Sequence, residues 1–144
     1  MTKKKQKNKL KYLSIKNFRG SVEEFFLEFE SKKLTVIYGE NGTGKSTICD
    51  AFELIGKGKV GSIEGRGLGR TIQYWAAIGK ELSDISITLE SSDKTCTAKV
   101  NKSQVYVMPE TSKPIVEILR RSQILSLIEA KPADRYKEIK RFID

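Results

Sequence analysis

Residues 39–46 read Gly-Glu-Asn-Gly-Thr-Gly-Lys-Ser and match every fixed position of the phosphate-binding pattern G-x-x-x-x-G-K-[ST]. Glycines at these positions let the backbone form a tight cradle whose N–H groups point inward at phosphate oxygens. In such a cradle the Lys45 ammonium reaches the β- and γ-phosphates, and the Ser46 hydroxyl binds Mg²⁺. The pattern therefore predicts a site for a nucleoside triphosphate and Mg²⁺, or descent from a protein that had one.

The segments on either side of this loop have the patterns that a phosphate loop needs around it. Residues 34–38, Leu-Thr-Val-Ile-Tyr, form a short apolar, β-branched run typical of a buried parallel strand. After the loop, apolar residues recur with the spacing of one face of an amphipathic helix: Ile48, Ala51, Phe52 and Ile55. Strand, glycine loop and helix in this order predict an α/β fold of the P-loop NTPase class.

The rest of the chain is predicted to supply further strands and helices around this unit. Five segments alternate apolar and polar residues and are predicted strands: 13–18, 25–29, 85–89, 96–100 and 104–108. A turn at residues 19–21 joins the first pair, and a turn at residues 91–94 makes the next pair a hairpin. From Pro114 onward the pattern predicts helix, broken near Pro132, with a last helix that carries three residues on one face: Tyr136, Ile139 and Ile143.

Length and charge bound the domain organisation. A chain of 144 residues with 38% hydrophobic residues suits one folded domain that needs no disulfide or metal. The net charge is +9, but eight basic and no acidic residues fall in the first twenty, and the remainder is nearly balanced. We therefore predict a disordered basic tail at residues 1–11 and a domain at residues 12–144. The tail either binds DNA phosphates without sequence specificity or is a solvated extension.

Several classes of protein are excluded by composition. No apolar run approaches the roughly 20 residues of a membrane span, and the basic N-terminus lacks the apolar core of a signal peptide, so we expect a cytoplasmic protein. The absence of histidine removes the usual general base and the commonest metal ligand. Cys49 and Cys96 have no metal-ligand or redox spacing, and both are predicted to be small core residues.

Three stretches together carry a resemblance to a known family. They are Leu-Ser-Ile-Lys-Asn-Phe-Arg-Gly at residues 13–20, the loop with its flanks at residues 34–55, and the stretch at residues 120–139 that begins Arg-Arg-Ser-Gln-Ile-Leu. In these stretches the chain resembles the N-terminal half of the SbcC, RecF and SMC group, ABC-type ATPases of DNA double-strand-break repair and chromosome maintenance. The resemblance implies an ABC-type N-terminal lobe with an antiparallel β subdomain and C-terminal helices.

The same resemblance implies roles for individual residues. The loop residues would cradle the β-phosphate of ATP: Asn41, Gly42, Thr43, Gly44, Lys45 and Ser46. Lys45 would also bridge to the γ-phosphate, Ser46 would hold Mg²⁺, and Thr47 would touch the α-phosphate. Gln123 would complete the site for Mg²⁺ and the attacking water, and Arg19 would lie near the nucleotide or on a DNA-facing side. An ordinary helix-surface glutamine and a solvated turn arginine are the alternatives for the last two.

The chain also departs from this family. No coiled coil, LSGG-type signature or apolar run ending in Asp-Glu follows Gln123, so the second Mg²⁺ carboxylate and the catalytic base are missing. We therefore expect a truncated fragment or one half of a split ATPase, which hydrolyses ATP only with a C-terminal half. The resemblance implies that this half or a homologous ATPase subunit is a partner, together with DNA and a nuclease, and implies no membrane.

Two other functions stay open from the sequence. A small, complete P-loop nucleotide kinase or NTPase would share the loop, but no arginine-rich lid or Asp-terminated strand accompanies it. A non-catalytic nucleic-acid-binding module would use the lysine tail and a degenerate loop, and the intact Lys45 and Ser46 argue against such degeneracy.

Overall fold

The computed structural model describes residues 9–64, 67–68, 70–131 and 134–136. Its main element is an antiparallel sheet of five strands: β1 (Leu10–Lys16), β2 (Phe25–Glu28), β3 (Ser86–Ser91), β4 (Thr95–Asn101) and β5 (Gln104–Met108). The strand order is β2-β1-β3-β4-β5, and every neighbouring pair is antiparallel. All five predicted strands and the predicted β3–β4 hairpin are therefore confirmed. Strand β1 begins at Leu10, so the last two residues of the predicted tail belong to the sheet.

One face of the sheet packs against helix α1 (Lys45–Lys57), and this contact forms much of the core. Alternate residues of the central strands point inward, and Leu13, Ile87 and Ala98 are almost wholly buried. The predicted apolar face of α1 is confirmed, since Ala51 and Ile55 have no exposed surface. Helix and sheet thus bury each other's apolar faces, and the phosphate loop lies at the beginning of this helix.

The predicted strand at residues 34–38 is wrong for the described structure. This pre-loop segment belongs to no strand, and its apolar side chains face solvent: Leu34 is 79% exposed, Val36 73% and Tyr38 91%. A buried strand needs neighbours that pair with its backbone and cover its side chains. None of the five described strands pairs with it. The pre-loop segment thus has the composition of a buried strand, but no described residues cover its apolar side chains.

The C-terminal part departs from its predicted helix. Residues 113–120, which we call the connecting segment, belong to no helix or strand, and helix α2 spans only Arg121–Glu129. Pro114 disfavours helical geometry in the residue before it, and the connecting segment packs along α1. Residues 134–136 are helical, and Tyr136 is 71% exposed. Ile139, Ile143 and Pro132 lie outside the described residues.

The burial of the two cysteines tests their predicted core positions. Cys96 is buried in β4, as predicted, and burial raises the pKa of its thiol. Cys49 is exposed on α1, so its predicted core position is wrong, because it lies on the helix face opposite the sheet. Among the residues that the structure describes, no helix is long and apolar enough to span a membrane.

Candidate nucleotide-binding site

The loop at residues 39–44 leads directly into the N-terminus of α1. Gly42 and Gly44 have φ values of 91° and 90°, a left-handed geometry that strains any residue with a Cβ atom. Gly44 is the N-cap, and within the described chain no side chain hydrogen-bonds to cap the helix there. The first N–H groups of a helix have no partner inside the helix and carry its positive dipole end. This terminus therefore has the geometry and polarity of an anion site.

Lys45 adds a full positive charge beside these N–H groups. Its Nζ donates a hydrogen bond to the carbonyl oxygen of Gly39 at 2.7 Å and another to that of Glu40. The same Nζ lies 3.5 Å from Oγ1 of Thr43, and that hydroxyl donates to the Glu40 carbonyl at 2.9 Å. The ammonium is thus held by neutral loop oxygens. Phosphate oxygens, which carry charge, are stronger acceptors than these carbonyls.

The remaining loop side chains are accessible from solvent. Asn41, Thr43 and Ser46 are exposed, and Thr47 is partly buried. The exposed hydroxyl of Ser46 in the first turn of α1 is an oxygen donor of the kind that Mg²⁺ prefers. Among the described residues no three carboxylate, histidine or cysteine groups form a metal cluster. A single hydroxyl next to a phosphate site fits the way Mg²⁺ binds nucleotides, which uses one or two protein ligands and phosphate oxygens.

Two cavities meet at Gly20 and Thr47, next to the phosphate loop. The first, of about 340 Å³, lies between the loop and the β1–β2 pair, with Ile15 and Phe25 among its apolar lining. The second, of about 600 Å³, is lined on one side by Arg19 and continues to Lys80. The structure therefore brings Arg19 and Thr47, two residues predicted from the sequence, to the wall of one cavity.

The connecting segment runs antiparallel to α1 and leads into α2, which contains Gln123. Val116 packs on Gly56, where a Cβ atom would lie only 2.7 Å from its Cγ2, and Glu117 pairs with Lys57 at 2.7 Å. Arg120, four residues after Val116, reaches back to Asp50 and Glu53, one to two turns nearer the start of α1. Along this segment the contacts with α1 thus shift from its C-terminal end to its middle, at Asp50 and Glu53.

Gln123 is fixed at the beginning of the second helix. It is the third residue of α2, and its Oε1 accepts a hydrogen bond of 2.8 Å from the backbone N–H of Arg120. A side chain that reaches back three residues in this way satisfies an N–H group at the helix start, as in a capping box. The orientation of Gln123 is thus tied to the position of Arg120.

An ionic cluster links these pieces, and the sequence analysis missed it. It consists of Arg19, Asp50, Glu53 and Arg120. The Asp50 carboxylate has no exposed surface, and its Oδ1 lies 2.7 Å from Nη2 of Arg120. Its Oδ2 lies 3.4 Å from Nε of Arg19 and accepts a 2.6 Å hydrogen bond from the Ser62 hydroxyl. The predicted buried face of α1 carries Ile48, Ala51 and Ile55, so Asp50 and Glu53 fall on its opposite side. The sequence pattern therefore carried no signal that these two carboxylates are buried.

The second carboxylate of the cluster is held in its charged form. Burial alone would raise the pKa of Glu53, but the hydrogen bonds from Arg120 and from the Gly61 N–H outweigh it and lower that pKa. For Arg120, burial lowers the pKa of the guanidinium, and the bonds to Glu53 and Asp50 raise it by more. The same Nη2 atom of Arg120 contacts both carboxylates. Glu53 and Arg120 therefore stay charged around neutral pH.

Comparison with known proteins identifies a family and several relatives. A family model described as an AAA domain matches residues 12–142. The chain is 43% identical over 65 residues to the DNA repair protein RecN of Bacillus subtilis, which is 45% of this chain and 10% of RecN. It is 24% identical over 143 residues to the DNA replication and repair protein RecF of Chlorobium luteolum, covering 94% of this chain and 37% of RecF.

Two further comparisons concern SMC proteins. The chain is 30% identical over 99 residues to the chromosome partition protein Smc of Halothermothrix orenii, covering 67% of this chain and 8% of Smc. A solved chain, from work on the ATP-driven dimerization and DNA-stimulated activation of SMC ATPases, superposes with a TM-score of 0.66 at 16% identity. It covers 92% of this chain and 98% of the solved chain, and this likeness shows the fold.

The chain spans well under half the length of each of these curated relatives. The family match and the fold agree with the predicted ABC-type lobe, in which an antiparallel β subdomain packs on the helix of a phosphate loop. The chain therefore belongs to the AAA domain family, of the SbcC, RecF and SMC type, and has the fold of the N-terminal lobe of their ATPase domain.

Proposed function

We propose that this chain is the ATP-binding N-terminal lobe of an ATPase that acts in DNA double-strand-break repair or chromosome maintenance. The observation that carries the proposal is the uncapped N-terminus of α1 with the Lys45 ammonium beside it. Backbone N–H groups, a helix dipole and one cation converge there on a space open to solvent. This combination favours a multiply charged phosphate chain over neutral or singly charged ligands.

The roles within the site follow from these positions. The loop N–H groups from Asn41 to Ser46 would hold the β-phosphate, and Lys45 would exchange its carbonyl partners for β- and γ-phosphate oxygens. Ser46 would be a Mg²⁺ ligand, and Mg²⁺ would supply charge neutralisation for the phosphates. Thr47 would contact the α-phosphate. Its place between the two cavities supports this, because either cavity can receive the nucleoside from there.

Arg19 and Gln123 would act from the edges of this site. Arg19 lines the cavity that also borders Thr47, which supports a position near the nucleotide. Gln123 would contact Mg²⁺ and the attacking water, and the bonds of Arg120 to Asp50 and Glu53 support a position of Gln123 near α1. Phosphoryl transfer relies on such positioned polar groups more than on covalent chemistry by the protein.

Hydrolysis would require a C-terminal half or a homologous ATPase subunit. The pre-loop segment offers Leu34, Val36 and Tyr38 to solvent, although its composition is that of a buried strand. Helix α2 likewise exposes Ile124 and Ile128, at 41% and 60%. An exposed apolar surface beside a candidate site marks a place where another polypeptide docks. We propose that the C-terminal half covers this surface and supplies the missing catalytic carboxylate.

The cellular setting is part of the proposal. The RecN and RecF relatives are DNA repair proteins by name, and the Smc relative partitions chromosomes. We propose that the basic tail contributes DNA contacts, that a nuclease subunit acts with the ATPase, and that the protein works in the cytoplasm. The small-kinase and non-catalytic alternatives have no comparable support from the fold or from these relatives.

Calorimetric titration with MgATP tests the nucleotide site. Lys45→Ala removes a charge-assisted contact worth about 1.5–3 kcal/mol, so it should weaken MgATP binding roughly tenfold to a hundredfold. Lys33→Ala is a matched control, because it removes the same charge from an exposed position before the loop. Equal MgATP affinities for the parent chain and Lys45→Ala would contradict the proposal, as would an equal loss in Lys33→Ala.

A further inference from the structure

Asp50 connects three separate parts of the chain to the helix that begins at the phosphate loop. Its two oxygens contact Arg19 from the β1–β2 turn, Ser62 from the loop after α1, and Arg120 from the connecting segment. Asp50 lies five residues after Lys45, about 7.5 Å along the helix axis. A carboxylate with no exposed surface is therefore the common anchor of two arginines, and one of them, Arg19, lines a cavity beside the phosphate loop.

Arg120 has the most direct link to a candidate site residue. Its side chain is bonded to Asp50 and Glu53, while its backbone N–H holds the side chain of Gln123. Apart from this anchor, the connecting segment is held to α1 by the Val116–Gly56 contact and by the pair of Lys57 with the exposed Glu117. The side chain of Arg120 is only 18% exposed, whereas that of Glu117 is 75% exposed. The ion pairs of Arg120 are therefore better shielded from solvent than the pair of Glu117.

Such a cluster is better suited to fixing positions than to adding stability. Removing charges from water costs free energy that their mutual attraction only partly returns, and apolar residues of the same volume often serve stability equally well. A buried ion pair, however, accepts one arrangement and penalises others. In this case the arrangement sets how far the connecting segment reaches along α1.

We propose that Asp50 and Arg120 are positioning residues that set the location of Gln123 relative to the phosphate loop. This inference rests on the proposed ATP site and on the role of Gln123 in it. Neither residue touches nucleotide. Arg120 instead fixes the start of α2, and Asp50 ties that point to the helix whose first turn carries Ser46. Binding of Mg²⁺ with ATP thus depends on an ion pair one to two helical turns away.

A double-mutant cycle in the full chain tests the inference, with MgATP affinity as the measurement. We expect Arg120→Met and Gln123→Ala each to weaken MgATP binding by about tenfold, and the double variant to be no weaker than either single one, because both remove the same contact. ATP binding in EDTA should change less than about twofold in Arg120→Met. Independent effects that multiply, or an equal loss in EDTA, would overturn the inference.

Two variants separate positioning from general damage. Arg121→Met removes the exposed neighbouring arginine and should leave MgATP affinity unchanged. Arg120→Lys should keep MgATP affinity within about threefold, because one nitrogen atom makes both carboxylate contacts and an ammonium can take its place. Hydrogen exchange should show protection of residues 120–125 by MgATP in Arg120→Lys and not in Arg120→Met. The reverse pattern contradicts the inference.

These measurements also distinguish failure of the proposed ATP site from failure of the positioning role. If the parent chain binds no MgATP, the proposed function fails, whereas unchanged MgATP affinity in Arg120→Met defeats only this inference. Should Arg120→Met not fold, Asp50→Asn replaces it in the cycle with Gln123→Ala. That variant keeps the shape of the side chain and an acceptor for Ser62. Additivity of Asp50→Asn with Gln123→Ala would then count against the role of the ion pair.

Discussion

The two halves of this structure differ in how completely they are covered. In the antiparallel sheet, each strand except those at the edges has two partners, and the inner face is buried against α1. Around the phosphate loop, the pre-loop segment has no strand partner in the described chain, and Tyr38 is 91% exposed. Both regions have sequences rich in β-branched and aromatic residues. The difference fits the proposal that another polypeptide covers the nucleotide region, whereas the sheet is covered within the described chain.

The largest expected effect is on ATP hydrolysis. We expect the chain alone to hydrolyse ATP no faster than Lys45→Ala does, because no catalytic carboxylate follows a buried strand after Gln123. Adding a matching C-terminal half should raise the rate at least about a hundredfold, the lower range for a general base. The measurement is steady-state phosphate release from each half and from the mixture. Turnover by the chain alone that disappears in Lys45→Ala would identify a complete enzyme and remove the need for a partner.

The next largest effect is on the free energy of unfolding, which should fall for a core substitution and stay nearly unchanged for one in the pre-loop segment. Phe18 is fully buried between the sheet and α1, so Phe18→Ala should lower the free energy of unfolding by about 3–5 kcal/mol. Val36→Ser, in the pre-loop segment, should change it by less than about 0.5 kcal/mol, because its side chain is already in water. Urea denaturation followed by circular dichroism measures both. A comparable loss in Val36→Ser would mean that the segment is covered within this chain after all.

DNA binding tests whether the domain or the tail supplies the basic surface. Deleting residues 2–9 removes five lysines and should weaken binding of duplex DNA by at least about tenfold, with a salt slope reduced by roughly 0.9 per lost phosphate contact. The control replaces five exposed lysines of the domain with alanine: Lys32, Lys33, Lys99, Lys102 and Lys113. Fluorescence anisotropy over a salt series gives both quantities. A larger loss in the control would place the DNA surface on the folded domain.

Local patterns were sufficient to predict the sheet and α1. Alternation of apolar residues depends on the strand alone, so β3 and β4 were found without knowledge of their neighbours. The phosphate loop was found because each fixed residue has a mechanical role that does not depend on distant parts of the chain. The prediction of a strand in the pre-loop segment was wrong for the opposite reason. Its composition is that of a buried strand, but burial is supplied by partners, and the described chain contains none.

The ionic cluster lay beyond sequence reasoning for a related reason. Arg120 and Asp50 are 70 residues apart, and nothing in the intervening sequence fixes how close they come. The chain from Pro114 onward was predicted as helix, which includes all but the first residue of the connecting segment. In the structure it belongs to no helix or strand, and Val116 packs on Gly56 while Arg120 bonds to Asp50 of α1. Tertiary contacts therefore overrode the local preference, and only the structure shows which side chains meet.

The smallest effect concerns the ion pair of Glu53 in acid. Its pKa is lowered below the ordinary value of 4.5, because the Arg120 and Gly61 hydrogen bonds outweigh burial. A carboxyl whose pKa is lower in the folded than in the unfolded state adds stability above the unfolded value, and this stability disappears as pH falls through the folded value. Glu53→Gln should therefore lower the free energy of unfolding by about 1.5 kcal/mol near pH 7. The difference between the two proteins should shrink below about pH 4.5.

The exposed pair on the same helix provides the control for this prediction. Glu117 bonds to Lys57 at 2.7 Å, as short as a buried contact, but its side chain is 75% exposed. Solvent screens such a pair, so Glu117→Gln should change stability little at any pH. Thermal unfolding of the parent chain and both variants between pH 3 and pH 7 compares them. Equal losses of stability in Glu117→Gln and Glu53→Gln at every pH would contradict this prediction. They would show that burial between α1 and the connecting segment does not strengthen the Glu53 bond.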